Sequence, residues 1–397
     1  MAKVYDTATD IITFARGSSA TYTGSDGTQQ TAASDEPRIE YGSDGSLKGL
    51  LIEEQRTNLL THSEDFSTGT GAFSLINVDT SGASEGPDGA ADSATQMLET
   101  ATTSEHQVNE NVSLSANTAY TLSAYVSPIG GRNCTLFWYT NSINTILSAT
   151  FDLVSKSVVD GPTAWGSVPP TNISAEIQQV GSFYRVSISG TTAGTAGAGA
   201  VRIHSTDGTS NNFLGDTAKG LNLYGAQLEE GSFATSYIPT SGSQQTRSAD
   251  VASIPVSAFG YNQTAGTVVV DYSTFNTYTG SPYPRVIALS DGYSPRNGLE
   301  ILSFNNITNA AGYSNGSSAF SFVGPPSVKT ALAAKENDFA GSFGGGSVLT
   351  DATGDMSTAS LLEIGKYSGS AYLNGHIKSL SYYPRRLTNT QLQELTS

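Results

Sequence analysis

Six aromatic residues stand where a ring could meet a ligand: Trp138, Tyr139, Trp165, Tyr283, Tyr293 and Tyr313. Sugar recognition needs such rings beside amides or carboxylates. The ring covers the apolar C–H face of the sugar, and polar neighbours meet its hydroxyls. Trp138 sits in Phe137-Trp138-Tyr139, so strand alternation places it on the face opposite both neighbours. One of these faces must be core, and packing is the commoner use of such an indole. Trp165, in Pro162-Thr163-Ala164-Trp165-Gly166, has loop-like surroundings and either meets solvent or caps a sandwich. Tyr283, Tyr293 and Tyr313 lie in turn-rich segments, where they form a loop-face patch or pack locally.

No catalytic constellation is legible. His62, His106, His204 and His376 are scattered and match no metal spacing. A glycosidase needs only two acids at a suitable separation, and nothing in the sequence marks such a pair, so the chain reads as non-enzymatic. Asp88, Asp92, Asp207, Asp216, Glu229 and Glu230 are oxygen donors of the kind calcium prefers. No loop carries them as an ordered series, and the plain reading of Glu229 is solvent exposure at a strand end. No cofactor is required, and structural calcium is the one ion considered. Cys134 stands alone, which excludes an intrachain disulfide and paired-cysteine zinc.

These residues must be positioned by strands. The chain is poor in helical periodicity and rich in short alternating runs bounded by turn residues. Tyr120–Val126 (YTLSAYV) alternates for most of its length, which implies one buried and one exposed face. Further strand candidates are Thr135–Thr140, Ser148–Asp152, Phe183–Ser189, Ala200–His204, Gly220–Leu228, Thr267–Tyr272, Arg285–Leu289, Leu299–Phe304, Phe339–Phe343 and His376–Tyr383. Ser25-Asp26-Gly27 and Ser43-Asp44-Gly45 are hairpin signals. Gly190–Ala200, made of Gly, Ala and Thr, reads as a flexible loop. One helix is expected at Thr388–Leu395, with Thr388 as cap and Leu392 and Leu395 facing inward.

With 397 residues the chain exceeds one ordinary core. It divides into residues 1–60, an N-terminal β-hairpin region; 61–240; a linker at 241–251; and 252–397. The fold class is all-β, two jelly-roll-like sandwiches behind the N-terminal region. The formal net charge of −16 repels phosphate, so nucleic acid is not the expected partner. Met1–Asp10 has no apolar stretch of signal-peptide length, and no run approaches the roughly 18 residues of a membrane span. Synthesis in a cytoplasm, without membrane insertion, is the expectation.

Three segments resemble phage tail-fibre and virion structural proteins. They are Ile12–Ala20 (ITFARGSSA) running through Thr31–Arg38 to Gly49–Leu60 (GLLIEEQRTNLL); Tyr224–Thr240 (YGAQLEEGSFATSYIPT) with Thr246–Asp250; and Leu373–Leu395. The resemblance implies an attachment region at 1–60, a carbohydrate-binding-module-like jelly roll at 61–240 and a laminin-G or concanavalin-like sandwich at 252–397. It implies a virion component, tail-fibre-like or head-fibre-like, made in the host bacterial cytoplasm and released by lysis. Its expected partners are other phage virion proteins, a homo-oligomer with a trimer favoured, and host surface polysaccharide. A passive decoration or baseplate-associated spacer is the alternative, and a depolymerase a third reading. Arg16, Arg38, Arg56 and Arg247 fall within these segments beside Asp35, Glu53, Glu54 and Asp250. Bidentate pairs among them would lock the N-terminal region against its neighbour; as exposed pairs they would contribute little.

Overall fold

The computed structural model describes residues 11–67, 73–140, 145–194, 197–275, 283–291, 298–304, 306–314, 317–326, 328–355, 358–367 and 371–397. The fold is all-β, with one helix among these residues. Every strand pairing among them is antiparallel, and the large sheets stack two by two around separate apolar cores.

The first sandwich stacks two six-stranded sheets. Its front sheet runs, edge to edge, Ser157–Trp165, Thr145–Asp152, Asn133–Thr140, Gly197–Thr206, His106–Leu114 and Ser74–Ile76. Its back sheet runs Thr171–Val180, Phe183–Thr191, Ala119–Ile129, Gly220–Glu230, Ala94–Glu99 and Val78–Ser84. Between them lie Leu122, Leu136, Trp138, Leu147, Phe151, Val186, Val201 and Leu228, each fully buried. These alternate with polar residues because successive strand side chains point to opposite faces. Gly190–Ala200, expected as a flexible loop, instead lies largely in strands Phe183–Thr191 and Gly197–Thr206, with residues 195–196 outside the described set. Small side chains are required there. A Cβ on Gly190 would stand 3.1 Å from the Trp138 ring and 3.0 Å from Leu147.

The second sandwich stacks two seven-stranded sheets, one beginning at Thr13–Ala15 and Val251–Pro255, the other ending at Gly375–Tyr383, Leu47–Ile52 and Ile39–Tyr41. Residues 1–60, expected as an attachment region, thus contribute strands to both of its sheets. Leu50 and Ile52 enter its core. The expected linker 241–251 carries strand Gln245–Arg247, which pairs with Arg56–Asn58. Ser241–Thr246 face water, but Arg247 and Asp250 fill buried positions at 1% and 0% exposure. The helix Asn389–Thr396 has Thr388 as N-cap in a capping box with Gln391, and Leu392 is buried against Val269, Ala331 and Ala340.

The two Asp-Gly signals are built alike. Gly24 bonds across to Thr28 and Gly42 to Ser46, while Gly27 and Gly45 take φ of 79° and 76°. Asp26 and Asp44 accept from the backbone N–H two residues on, which closes each turn.

Candidate functional site

The two outer faces of the first sandwich have different fates. The back sheet is covered by residues from the N-terminal region and from the chain after Glu230. Tyr125, Tyr224 and Tyr237 pack edge to face beneath this cover, and the Tyr125 hydroxyl accepts from Gln29 at 2.9 Å. Beside them lies a buried ionic joint. Arg16 reaches Asp250 at 3.2 Å, and Arg38 bridges Asp250 at 2.6 Å and Glu53 at 2.8 Å. Arg247 reaches Glu53 at 3.0 Å. All five side chains are at most 1% exposed.

The backbone completes the joint. Asp250 accepts from the Glu53 N–H, and Asp250 donates its own N–H to the Glu53 carbonyl. Ser236 donates to both oxygens of Glu53. Burial alone would push Glu53 up, but Arg247, Arg38 and the Ser236 bonds outweigh it and hold the carboxyl down at about 2. The expected residues are therefore brought together, though by bridging rather than by two-point pairs. Asp35 is the exception, since it accepts the backbone N–H of Arg16 rather than a guanidinium. Arg56 pairs with Glu54 at 2.5 Å at the more exposed margin. Glu229, expected at an exposed strand end, is fully buried and accepts from the Thr235 N–H and hydroxyl and from Gln227. The turn that follows folds back over it. The five charged side chains are closed off from water.

The front sheet keeps an outer face with different chemistry. Cross-strand register lays out three rows. The first is Asn111, Ala200, Tyr139, Ile146 and Trp165; the second is Asn109, Arg202, Phe137, Ser148 and Thr163; the third is Gln107, His204, Thr135, Thr150 and Asp160. Trp165 is 40% exposed and meets Phe137 edge to face, with ring centroids 6.2 Å apart. The Arg202 guanidinium lies 4.7 Å from the Tyr139 ring centroid and donates to its hydroxyl at 3.1 Å. His204 stacks at 4.6 Å on Phe137. Its ring is 1% exposed, and neither nitrogen has a partner. Burial, with the Arg202 charge second, holds His204 down at about 3, so the ring is neutral and offers one donor and one acceptor. Gln107 Oε1 and Asn109 Oδ1 are buried acceptors likewise unpaired. Groups of this kind cost roughly 1–3 kcal/mol each when left unsatisfied.

Of the predicted aromatics, Tyr139 and Trp165 thus share one outward row. Trp138 does not: it is fully buried, because its alternation points it between the sheets. Tyr283 is exposed and Tyr313 half-buried, but they do not meet. Tyr283 precedes Arg285, which pairs with Leu302, whereas Tyr313 pairs with Gly298 at the far end of the same strands. Tyr313 is in a strand, not a loop. Tyr293 lies outside the described residues. The carboxylates considered for calcium are dispersed. Asp88 accepts from Ser93 and Asp207 from Thr209 and Ser210 within their own turns, and Asp216 sits 3.9 Å from Lys219. Asp92 takes a positive φ of 62° in a turn. No group of three His, Cys, Asp or Glu is gathered among the described residues. A cavity of about 370 Å3 in the second sandwich is lined by Ile11, Ile12, Leu50, Ile254 and Leu362 together with Lys378, Ser379, Ser381, Tyr382 and Tyr383.

Phe137, Arg202, His204, Gln107 and Asn109 were not singled out from sequence. The signal was present in the alternation: the residues flanking Trp138 must face away from the core. What sequence withheld was which strands lie beside that one.

No protein-family model matches the chain, and no curated protein matches it. Among solved structures it is similar to the mouse laminin alpha1 chain, domains LG4-5, at 9% identity over 73% of this chain and 88% of that one, with a TM-score of 0.26. A likeness this loose carries no functional weight. The sandwich fold stands on its own strand pairing.

Proposed function

We propose that this chain is a non-enzymatic virion component, of the tail-fibre or head-fibre kind, that meets host surface glycans through the front face of its first sandwich. The observation that carries the glycan part is one sheet face that combines an exposed indole with two half-buried aromatic rings, the Arg202 guanidinium and the exposed Asn111. A sugar fits that combination, because it presents an apolar C–H face and a rim of hydroxyls to the same surface. The flat, elongated layout suits a polymer laid across strands. Support for the virion part is the resemblance of the three sequence segments. Two of them, with the strand after them, supply the buried joint that fixes the sandwich to the chain's other half.

A glycan array and pull-down with host envelope polysaccharide test the glycan part. Binding by the intact chain that is weakened about tenfold in Trp165→Ala, and weakened also in Tyr139→Ala, is expected. Absence of binding to every envelope preparation overturns it in favour of a passive spacer. Release of reducing ends from the bound polymer would make the chain a depolymerase instead. Antibody labelling of intact particles tests the virion part, and unlabelled particles would overturn it.

A further inference from the structure

The front face has a charge that nothing around it answers. Arg202 lies in the middle row, on the strand between Asn109 and Phe137. The three rows contain one carboxylate, Asp160, and it belongs to the edge strand three positions away. At a strand spacing of about 4.8 Å that is roughly 14 Å. Glu105, just beyond the last row, is engaged by the Gln107 amide at 3.2 Å. Among the described residues Arg202 makes no ion pair; its polar contact is the Tyr139 hydroxyl.

Apart from Arg185, the other guanidinium groups withdrawn from water meet an acid. Arg16, Arg38 and Arg247 meet acids in the joint, Arg132 takes both oxygens of Glu99 at 2.7 and 2.8 Å, and Arg285 meets Glu300 at 3.0 Å. Arg185, which also stacks on a tyrosine, sits on the covered back sheet and donates to Ser123. Acids outnumber bases 35 to 19 in this sequence, so partners for Arg202 were plentiful. The face keeps its one guanidinium free of them. Tyr139 holds the guanidinium 4.7 Å from its ring centroid and takes one of its N–H groups, which restricts the remaining donors before anything binds.

We infer that the glycan taken by this face is acidic, and that Arg202 pairs with a sugar carboxylate while Trp165 covers a neighbouring ring. This rests on the glycan reading above and narrows its substrate class. A carboxylate is preferred to a sulfate ester because the guanidinium fork matches two coplanar oxygens. Asn111, exposed in the Trp165 row, then meets hydroxyls of the same or the adjoining residue.

The test uses the full chain and a panel of uronate-containing bacterial capsular polysaccharides, each paired with its carboxyl-reduced form, and with sulfated polysaccharide as a further arm. The intact polymer should bind at least tenfold more tightly than its reduced form. Arg202→Gln should remove that difference while keeping the affinity for the reduced form, and Arg202→Lys should restore part of it. Thermal melting confirms that both variants fold. Equal, Trp165-dependent binding of intact and reduced polymers would overturn the acidic-glycan inference and leave the glycan reading in place. Preference for the sulfated arm would likewise overturn it. Failure of every polymer to bind would sink both together.

Discussion

The first sandwich carries two polar regions on opposite sides, and they obey opposite rules. On the back sheet, Arg16, Arg38, Arg247, Glu53 and Asp250 are withdrawn from water, and every charge meets its opposite. On the front sheet, Arg202 meets no acid among the described residues and the Trp165 indole is exposed, while His204, Gln107 and Asn109 keep buried polar atoms unpaired, as Arg38 Nε and Arg247 Nε do in the joint. Desolvating a charge costs several kcal/mol, so a buried ionic cluster persists only when matched. A surface held ready for a ligand has the reverse need, since its partners must stay unfilled until binding. The contrast separates a joint from a recognition face without appeal to any relative.

The largest effects should fall on stability, in the joint and in the core. Glu53→Ala or Asp250→Ala leaves guanidinium groups buried and unpaired, and should cost about 3–5 kcal/mol in chemical denaturation. Trp138→Ala, in the core beneath the front sheet, should cost a similar roughly 3–5 kcal/mol. Glycan affinity of the fraction that remains folded should be unchanged by the joint variants. A loss below about 1 kcal/mol in the joint variants would mean that water reaches it, and the comparison would break.

Acid should strike the two regions in different windows. Glu53 is held at about 2 in the fold, against an ordinary 4.5. Its contribution is therefore complete above pH 4.5 and disappears as pH falls towards 2. His204 is held at about 3 against 6.5, and the unfolded chain takes up its proton first. That uptake erodes stability as pH falls from 6.5 towards 3. The windows are worth about 3 kcal/mol for Glu53 and about 5 kcal/mol for His204. Melting temperature followed from pH 8 to pH 3 should fall in both, with His204→Gln flattening the upper window and Glu53→Gln the lower. A profile unaffected by either substitution would contradict the assignment.

Smaller effects belong to the open side. Trp165→Ala should lower glycan affinity about tenfold, or about 1.4 kcal/mol, with a change in melting no larger than an ordinary surface substitution. Asn111→Ala, exposed in the same row, should cost less, about 0.5–1 kcal/mol of binding. Titration calorimetry measures both. If Trp165→Ala destabilised the chain as Trp138→Ala does, the front face would be a packing surface and the distinction between the two sides would fall.

Much of the scaffold was legible in the residues. Alternation at Tyr120–Val126 predicts strand Ala119–Ile129, although both of its faces are buried rather than one, and Thr388 as cap with Leu392 inward predicts the helix Asn389–Thr396. The Asp-Gly pairs mark turns because the following glycine takes a positive φ. Sequence failed where a polar or small residue has a tertiary purpose. Gly190 reads as loop because nothing in one dimension shows the Trp138 ring against it. Glu229 reads as exposed because its partners Thr235 and Gln227 are reached only after the chain turns back.

For the candidate site, sequence fixed parity and nothing about adjacency. That Trp138 faces away from Phe137 and Tyr139 follows from a period of two, a local property of the backbone. That Tyr139 stands in the row of Trp165, and one strand from Arg202, depends on the order of strands in the sheet. That order is set by which long-range pairings bury the most apolar surface. The same holds for the joint, whose members come from residues 16 to 250. Sequence alone supplied the all-β class and the list of residues able to do chemistry. Tertiary structure decided which of them are spent on holding the chain together and which are left free to bind.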